Sequence, residues 1–259
     1  MTDAFTVSAE GALRPVTRDW VPEAPVALEF NGLAYAVMMA TPEYLVDFAT
    51  GFALSEGLAT SADDVTDVGL AEVEQGWIVR ARLAGLGIER LTERVRTRVA
   101  ESSCGLCGME NLAEVTRPLP PVAAHEPIDP QAIFAALEEL PERQDLNRRT
   151  GAAHAAAWCT PSGRIAEIRE DVGRHNALDK LIGGMARTGW PLDGGFVLST
   201  ARCSYEIVEK AVKAGATTLV TVSLPTSLAV ERAKAAGLSL WVLARGDSVT
   251  CVNDASRVD

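Results

Sequence analysis

The sequence predicts an α/β protein in two parts: a smaller α+β unit over residues 26–120 and a larger α/β domain over residues 121–259 with helices on a mostly parallel sheet. Three observations predict it. In the last third, apolar segments of strand length alternate with amphipathic segments of helix length, the pattern of right-handed βαβ units. Over residues 26–100 the apolar period switches from that of a strand to that of a helix and back. Between the two stretches runs the proline-rich hinge "RPLPPVAAHEP", residues 117–127.

Each element follows in order. Residues 1–25, with Pro15, Pro22 and Pro25, read as a loosely held lead-in. "VALEFNGLAYAVMM" alternates on both sides of Asn31-Gly32, a pair that suits a type I′ turn because both positions take positive φ, so it reads as a β-hairpin. "TPEYLVDFATGFALSEG" reads as a helix capped by Thr41, with Pro42 at its first position and Gly57 past its end. "WIVRARL" alternates as a strand. Beyond the hinge, "DPQAIFAALEEL" is a capped helix, and "GAAHAAAWCTPSGRIAEIRE" is two strands around a Pro-Ser-Gly turn. In "GRHNALDKLIGGMARTG" the residues Ala177, Leu178, Leu181, Ile182 and Met185 form one buried helical stripe. Then come strand "GFVLST", helix "SYEIVEKAVKAG", strand "TTLVTVS", helix "PTSLAVERAKAAG" and strand "LSLWVLARG".

Composition narrows the function. With 259 residues, 47% apolar and 23% charged, the chain supports a real core and is not wholly disordered. A net charge of −11 excludes a general nucleic-acid or membrane-surface protein, so an anionic ligand needs a local basic or amide-rich pocket. No charged and apolar leader pair stands at either end, and no apolar run approaches the ~20 residues of a bilayer span, so the expected location is the cytoplasm. Five cysteines is an odd number, and Cys159, Cys203 and Cys251 are scattered singly, which points to reduced thiols.

The topology places a ligand past the carboxyl ends of the strands, where helix starts present unpaired N–H groups. Those turns are "STARCSYE" (199–206) and "SLPTSL" (223–228), whose Arg202, Ser204 and Thr226 suit phosphate oxygens. Against this stands simple N-capping by Ser204 and Thr226.

The stretch "ESSCGLCGMEN" (101–111) carries Cys104 and Cys107 as a CxxC pair. Three chemistries compete for it. A structural zinc needs four ligands, and the partner pair is missing; the zinc deaminase pattern fails too, with no HxE upstream and Ser103 in place of proline. A thioredoxin-type couple belongs at a helix start after a first strand, whereas this pair sits between the two units. A sulfur carrier needs an accessible, acidic thiol; Gly105 and Gly108 flank the pair, and "MENLAEV" is spaced as a short helix whose amides favour thiolate, while Glu101 and Glu110 oppose it. Upstream, if "RVRTRV" runs as a strand, Arg94, Arg96 and Arg98 share one face, either solvated or in contact with an anion.

Several segments together resemble one family, the formate dehydrogenase accessory sulfurtransferases, or FdhD/NarQ family. They are "FNGLAYAVMMATPEYLVDFATGFALSEGL", "SSCGLCG", "TGAAHAAAW", "EDVGRHNALDKLIGG", "SYEIVEKAVKAGATTLVTVSLPTSLAVERA" and "LSLWVLARG", in the family's order over most of residues 26–253. The resemblance implies a protein that takes sulfur from a cysteine desulfurase as a cysteine persulfide. It then passes the sulfur to the bis-molybdopterin guanine dinucleotide form of the molybdenum cofactor, bound as substrate, for formate dehydrogenase. GDP would mimic that ligand. It also implies a cytidine deaminase-like three-layer larger domain without zinc, and a homodimer.

By the same resemblance Cys104 carries the persulfide, and Cys107 relays the sulfur or resolves the persulfide to a disulfide. The cofactor-binding segment falls on "LARGDS", that is Leu243, Ala244, Arg245, Gly246, Asp247 and Ser248, with Arg245 and the Gly246 turn meeting guanine or phosphate. His154, Asp171 and His175 match motif positions too. His175 would meet a phosphate or a guanine edge and Asp171 the guanine N–H groups, unless the two simply pair to orient their helix. Where the family has Ser-Gly-Arg, this chain has Thr200-Ala201-Arg202, which alters how closely the backbone meets the ligand. The competing function is a non-catalytic chaperone that only binds the cofactor and delivers it.

Overall fold

Alternating side chains and one tight turn set the first sheet. The structure, a computed structural model, describes residues 4–99 and 117–256. An exposed two-stranded ribbon, β1 (Ala4–Val7) with β2 (Leu13–Val16), stands first, where the sequence signals no element. β3 (Ala24–Phe30) then turns through Asn31 and Gly32, at φ 51° and 81°, into β4 (Leu33–Ala40), as a type I′ turn requires. Val26, Leu28 and Phe30 alternate inward from β3 onto α1 (Leu45–Ser55). β5 (Val65–Val73) and β6 (Gly76–Leu83) complete the sheet in the order β4-β3-β6-β5, and α2 (Ile88–Val99) packs beside β4. Phe30, Tyr35, Phe48 and Phe52 interlock at the centre, with ring centroids 5.7 to 6.3 Å apart.

The second sheet carries the candidate site. Asp129 caps α3 (Pro130–Arg143) by accepting from Gln131 N, and the short α4 (Asp145–Thr150) follows. Next come β7 (His154–Cys159), β8 (Ile165–Asp171), α5 (Arg174–Arg187), β9 (Phe196–Ser199) and α6 (Tyr205–Lys213). β10 (Thr218–Thr221), α7 (Ser227–Ala236), β11 (Ser239–Val242) and β12 (Thr250–Asn253) close the chain. The strand order is β12-β11-β10-β9-β7-β8. α3 covers one face through Ile133 and Leu140, and α5, α6 and α7 cover the other through Leu178, Ile207 and Ala233.

Three sequence expectations are corrected here. The sheet is mixed rather than mostly parallel: β9, β10 and β11 are parallel, while β7, β8 and β12 run against their neighbours. The turns joining β7 to β8 and β11 to β12 are too short for a parallel crossover, which needs a dozen residues or more. The "RVRTRV" run, with Arg94, Arg96 and Arg98, lies in α2, a helix and not a strand. Thr41 does not cap α1, whose N-cap is Tyr44 in left-handed conformation at φ 54°. Thr41 is instead fully buried, donating from N to Asp171 Oδ2 at 3.0 Å and accepting at O from Lys180 Nζ at 2.8 Å.

That contact belongs to a seam where α1 lies against α5. Gly51 and Gly183 let the two backbones touch: a Cβ on Gly51 would sit 1.7 Å from Asp179 O, and one on Gly183 would sit 1.9 Å from Asp47 O. Charges close the seam. Lys210 on α6 reaches Asp179 at 2.9 Å and Ser55 Oγ at 2.8 Å, and Arg169 reaches Asp47 at 3.0 Å. The seam holds α5, and with it the first turn of that helix, in fixed relation to both sheets.

Candidate functional site

Three turns meet past the carboxyl ends of β9, β10 and β11. Thr200 N donates to Ala155 O at 3.0 Å, Thr226 N to Cys203 O at 3.0 Å, and Ala244 N to Thr221 O at 3.1 Å. These bonds tie 200–204, 222–226 and 243–248 side by side, and α5 and α6 open onto the same end. The N-cap of α5 is Gly173, whose N donates to Asp171 Oδ1; a Cβ there would strike Asn176 Nδ2 at 2.6 Å. Neither Gly173 nor Ser204, the N-cap of α6, gives its helix a side-chain cap. Ser204 Oγ is buried without a hydrogen-bond partner.

Two more buried polar atoms near it lack a partner: Arg174 Nε and His175 Nε2. The His175 nitrogen lies 3.1 Å from Glu206 Oε2, close enough for charge attraction but off the line of an N–H bond. His154 joins the cluster. Burial first, then the charge of Arg174, hold it below the ordinary histidine value. Glu206 is held below the usual carboxylate range by His175 first, with Arg174 and Lys210 adding to the effect. Arg202 is exposed and forms no ion pair among the described residues. In a chain of net charge −11, this crevice gathers Arg174, Arg202, His154 and His175 around donors that await an acceptor. Each buried donor left unpaired costs about 1–3 kcal/mol, and donors grouped with cations have the chemistry to pair with an acceptor of negative charge.

The model of the FdhD/NarQ family matches residues 21–259 of this sequence. The chain belongs to the FdhD/NarQ family. Relatives include the sulfur carrier protein FdhD of Variovorax paradoxus strain S110, 47% identical over 243 residues that cover 93% of this chain and 87% of the relative. The sulfur carrier protein FdhD of Cupriavidus necator is 47% identical over 218 residues, covering 84% and 76%. A solved structure from Desulfotalea psychrophila, described as a formate dehydrogenase accessory protein, superposes with a TM-score of 0.76 at 21% identity. It covers 98% of this chain and 96% of its own, and at that identity it carries the fold.

Within this FdhD/NarQ chain the expected site residues separate. Arg202, Ser204, His175 and His154 come together at the crevice. Thr226 lines the neighbouring turn, but its Oγ1 caps α7 by accepting from Ala229 N at 3.2 Å. Asp171 is corrected: it is fully buried, and it accepts from Thr41 N, Gly173 N, Asn176 Nδ2 and Lys180 Nζ, which leaves no free face for guanine. Nor does it pair with His175, whose charged neighbour is Glu206. Leu243 takes φ 50°, Ala244 is packed in the core, and Arg245, Gly246, Asp247 and Ser248 are exposed at the rim. Arg245 Nη1 donates to Val222 O, and a Cβ on Gly246 would meet nothing within 4 Å. Ala201 packs into the core.

Cys104 and Cys107 lie outside the described residues. Of the described cysteines, Cys203 sits under the site, but burial pushes its thiol up to about 11; burial also pushes the Cys159 thiol up. Neither is poised as a nucleophile. Sequence reasoning missed Arg174 and Glu206. A signal existed for Arg174, which adjoins His175 at the first position of a helix that glycine leaves without a side-chain cap.

Proposed function

We propose that this chain is a persulfide-based sulfurtransferase that serves formate dehydrogenase, its substrate being the bis-molybdopterin guanine dinucleotide form of the molybdenum cofactor. The observation that carries the reading is the CxxC pair inside a chain matched over residues 21–259 by the FdhD/NarQ family, with 47% identical relatives named sulfur carrier protein. Cys104 thiolate attacks the terminal sulfur of a cysteine desulfurase persulfide, and the desulfurase thiolate leaves. Once the cofactor is bound, Cys107 thiolate attacks the Cys104 sulfur. A disulfide forms, and the terminal sulfur departs as hydrosulfide, which exchanges for an oxo ligand of the cofactor while hydroxide leaves.

The crevice supports the choice of substrate, because a dinucleotide brings the oxyanions that Arg174, His175 and Ser204 lack. Chain length supports the route. Val122 N bonds Ala236 O at 2.8 Å and Arg117 O accepts from Arg232 at 2.7 Å, so residues 122 to 117 follow α7 toward the end that opens on the crevice. Cys107 precedes Arg117 by ten residues, and such a tether reaches at most about 35 Å. The protein acts in the cytoplasm, without zinc and as a homodimer.

Treatment with a desulfurase and cysteine should add about 32 Da to the intact protein, reversed by a thiol reductant. Cys104→Ala should abolish the addition. If Cys104→Ala keeps it while Cys107→Ala loses it, the roles are exchanged. If Cys104→Ser still restores full formate dehydrogenase activity, the chain is a cofactor-binding chaperone instead.

A further inference from the structure

The position of Glu206 is odd for an anion site. Its carboxylate stands 3.1 Å from His175 Nε2, the atom an oxyanion would also use, and Arg174 and Lys210 bear on it too. Yet this carboxylate does not satisfy its neighbours. Arg174 Nε, His175 Nε2 and Ser204 Oγ stay without an aligned acceptor, and the oxygens of a phosphoryl group are acceptors of the kind these donors lack. The Glu206 side chain is 45% exposed and so has a path to water. Arg174 and His175 have no such freedom at their backbone, since they start a helix locked by Gly173, Asp171 and the α1 seam.

We propose that Glu206 is a built-in competitor at an oxyanion site anchored by Arg174: it stands beside His175 while the site is empty and swings to solvent when a diphosphate enters. The identity of the ligand rests on the reading above, whereas the competition rests on the cluster itself. A carrier gains from such a device, because the returning carboxylate lowers the affinity for a cargo that must be handed on. The sign of the effect separates competition from support. A carboxylate that merely orients His175 strengthens binding, and one that competes weakens it.

Calorimetric titration of the full chain with pyrophosphate and with GDP tests this, with thermal melting to confirm that each variant is folded. Glu206→Gln should bind both about 3- to 10-fold more tightly, since an ionised repulsive neighbour is removed. Arg174→Gln should bind both about 10-fold more weakly or worse; Ser204→Ala, a smaller change, should lose about 3-fold. Unchanged or weaker binding by Glu206→Gln overturns the competitor, and unchanged binding by Arg174→Gln overturns the anchor. Pyrophosphate binding without GDP binding would sink the guanine nucleotide reading and leave the competitor standing. If the wild-type protein takes no pyrophosphate, this inference fails while the mass test for sulfur is untouched.

Discussion

His154 sits among cations and partly out of water, and that combination carries a pH signature. Burial and then Arg174 lower its pKa from the ordinary 6.5, so the folded chain takes up the proton less readily than the unfolded chain does. The stability it contributes is therefore present above the ordinary value and is lost as pH falls through the folded value. The melting temperature of the wild-type protein should drop more between about pH 7 and pH 5 than that of His154→Gln. Equal slopes would show that the folded chain does not oppose protonation of this ring. At this scale the sequence identified the residue types well and their partners poorly. Arg202 and Ser204 were singled out by turn position and His175 by the family resemblance, and the fold brings the three to one end of the sheet. Asp171 was misassigned, because a carboxylate that fits guanine on paper fits Lys180 and three further donors equally well. Only the fold shows that the four donors reach it first.

Among the elements, α1 and α5 cross so closely that a single methyl group decides whether they fit. A Cβ on Gly183 would sit 1.9 Å from Asp47 O and 2.6 Å from Gly51 N, both backbone atoms that cannot rotate away. Gly183→Ala should therefore destabilise the protein by about 3 kcal/mol or more, read from the denaturant midpoint at unchanged slope. Gly246→Ala, with nothing within 4 Å, should leave stability near wild type. The strands and helices from β7 to β11 were legible because their apolar periods are unbroken. β5 was missed because, of its nine residues, only Val65 is buried, so no alternation marks it. β12 has four residues and none buried. β12 runs antiparallel to β11, as the short link between them requires.

Seen as one molecule, the two sheets share their charges. Thr41 serves Asp171 and Lys180, Ser55 and Glu56 serve Lys210 and Asp179, and Asp47 serves Arg169 and Arg187. Leu54 packs against both large apolar clusters. A larger domain expressed alone as residues 121–259 would keep Lys180, Lys210 and Arg169 but lose every one of those partners from α1 and the turn before it. Lys180 keeps Asp171, Lys210 keeps Asp179 and Arg169 keeps Glu167, but the hydrogen bonds to Thr41, Ser55 and Asp47 and the apolar cover of α1 over α5 are gone. Buried polar groups left unmatched are destabilising, so that fragment should lack the near-UV dichroism of a packed core, whereas the full chain should unfold in one transition by dichroism and tryptophan fluorescence alike. Asp179→Asn in the full chain removes the charge opposite Lys210 and should cost about 3–5 kcal/mol. Replacing Asp179 and Lys210 together by leucine should cost less than Asp179→Asn, since the buried charges leave together and Glu56, which loses Lys210, is partly exposed to water. A fragment that folds sharply, or two separated transitions in the full chain, would mean that the seam is an ordinary contact between independent domains and that the hinge at residues 117–127 marks a true boundary.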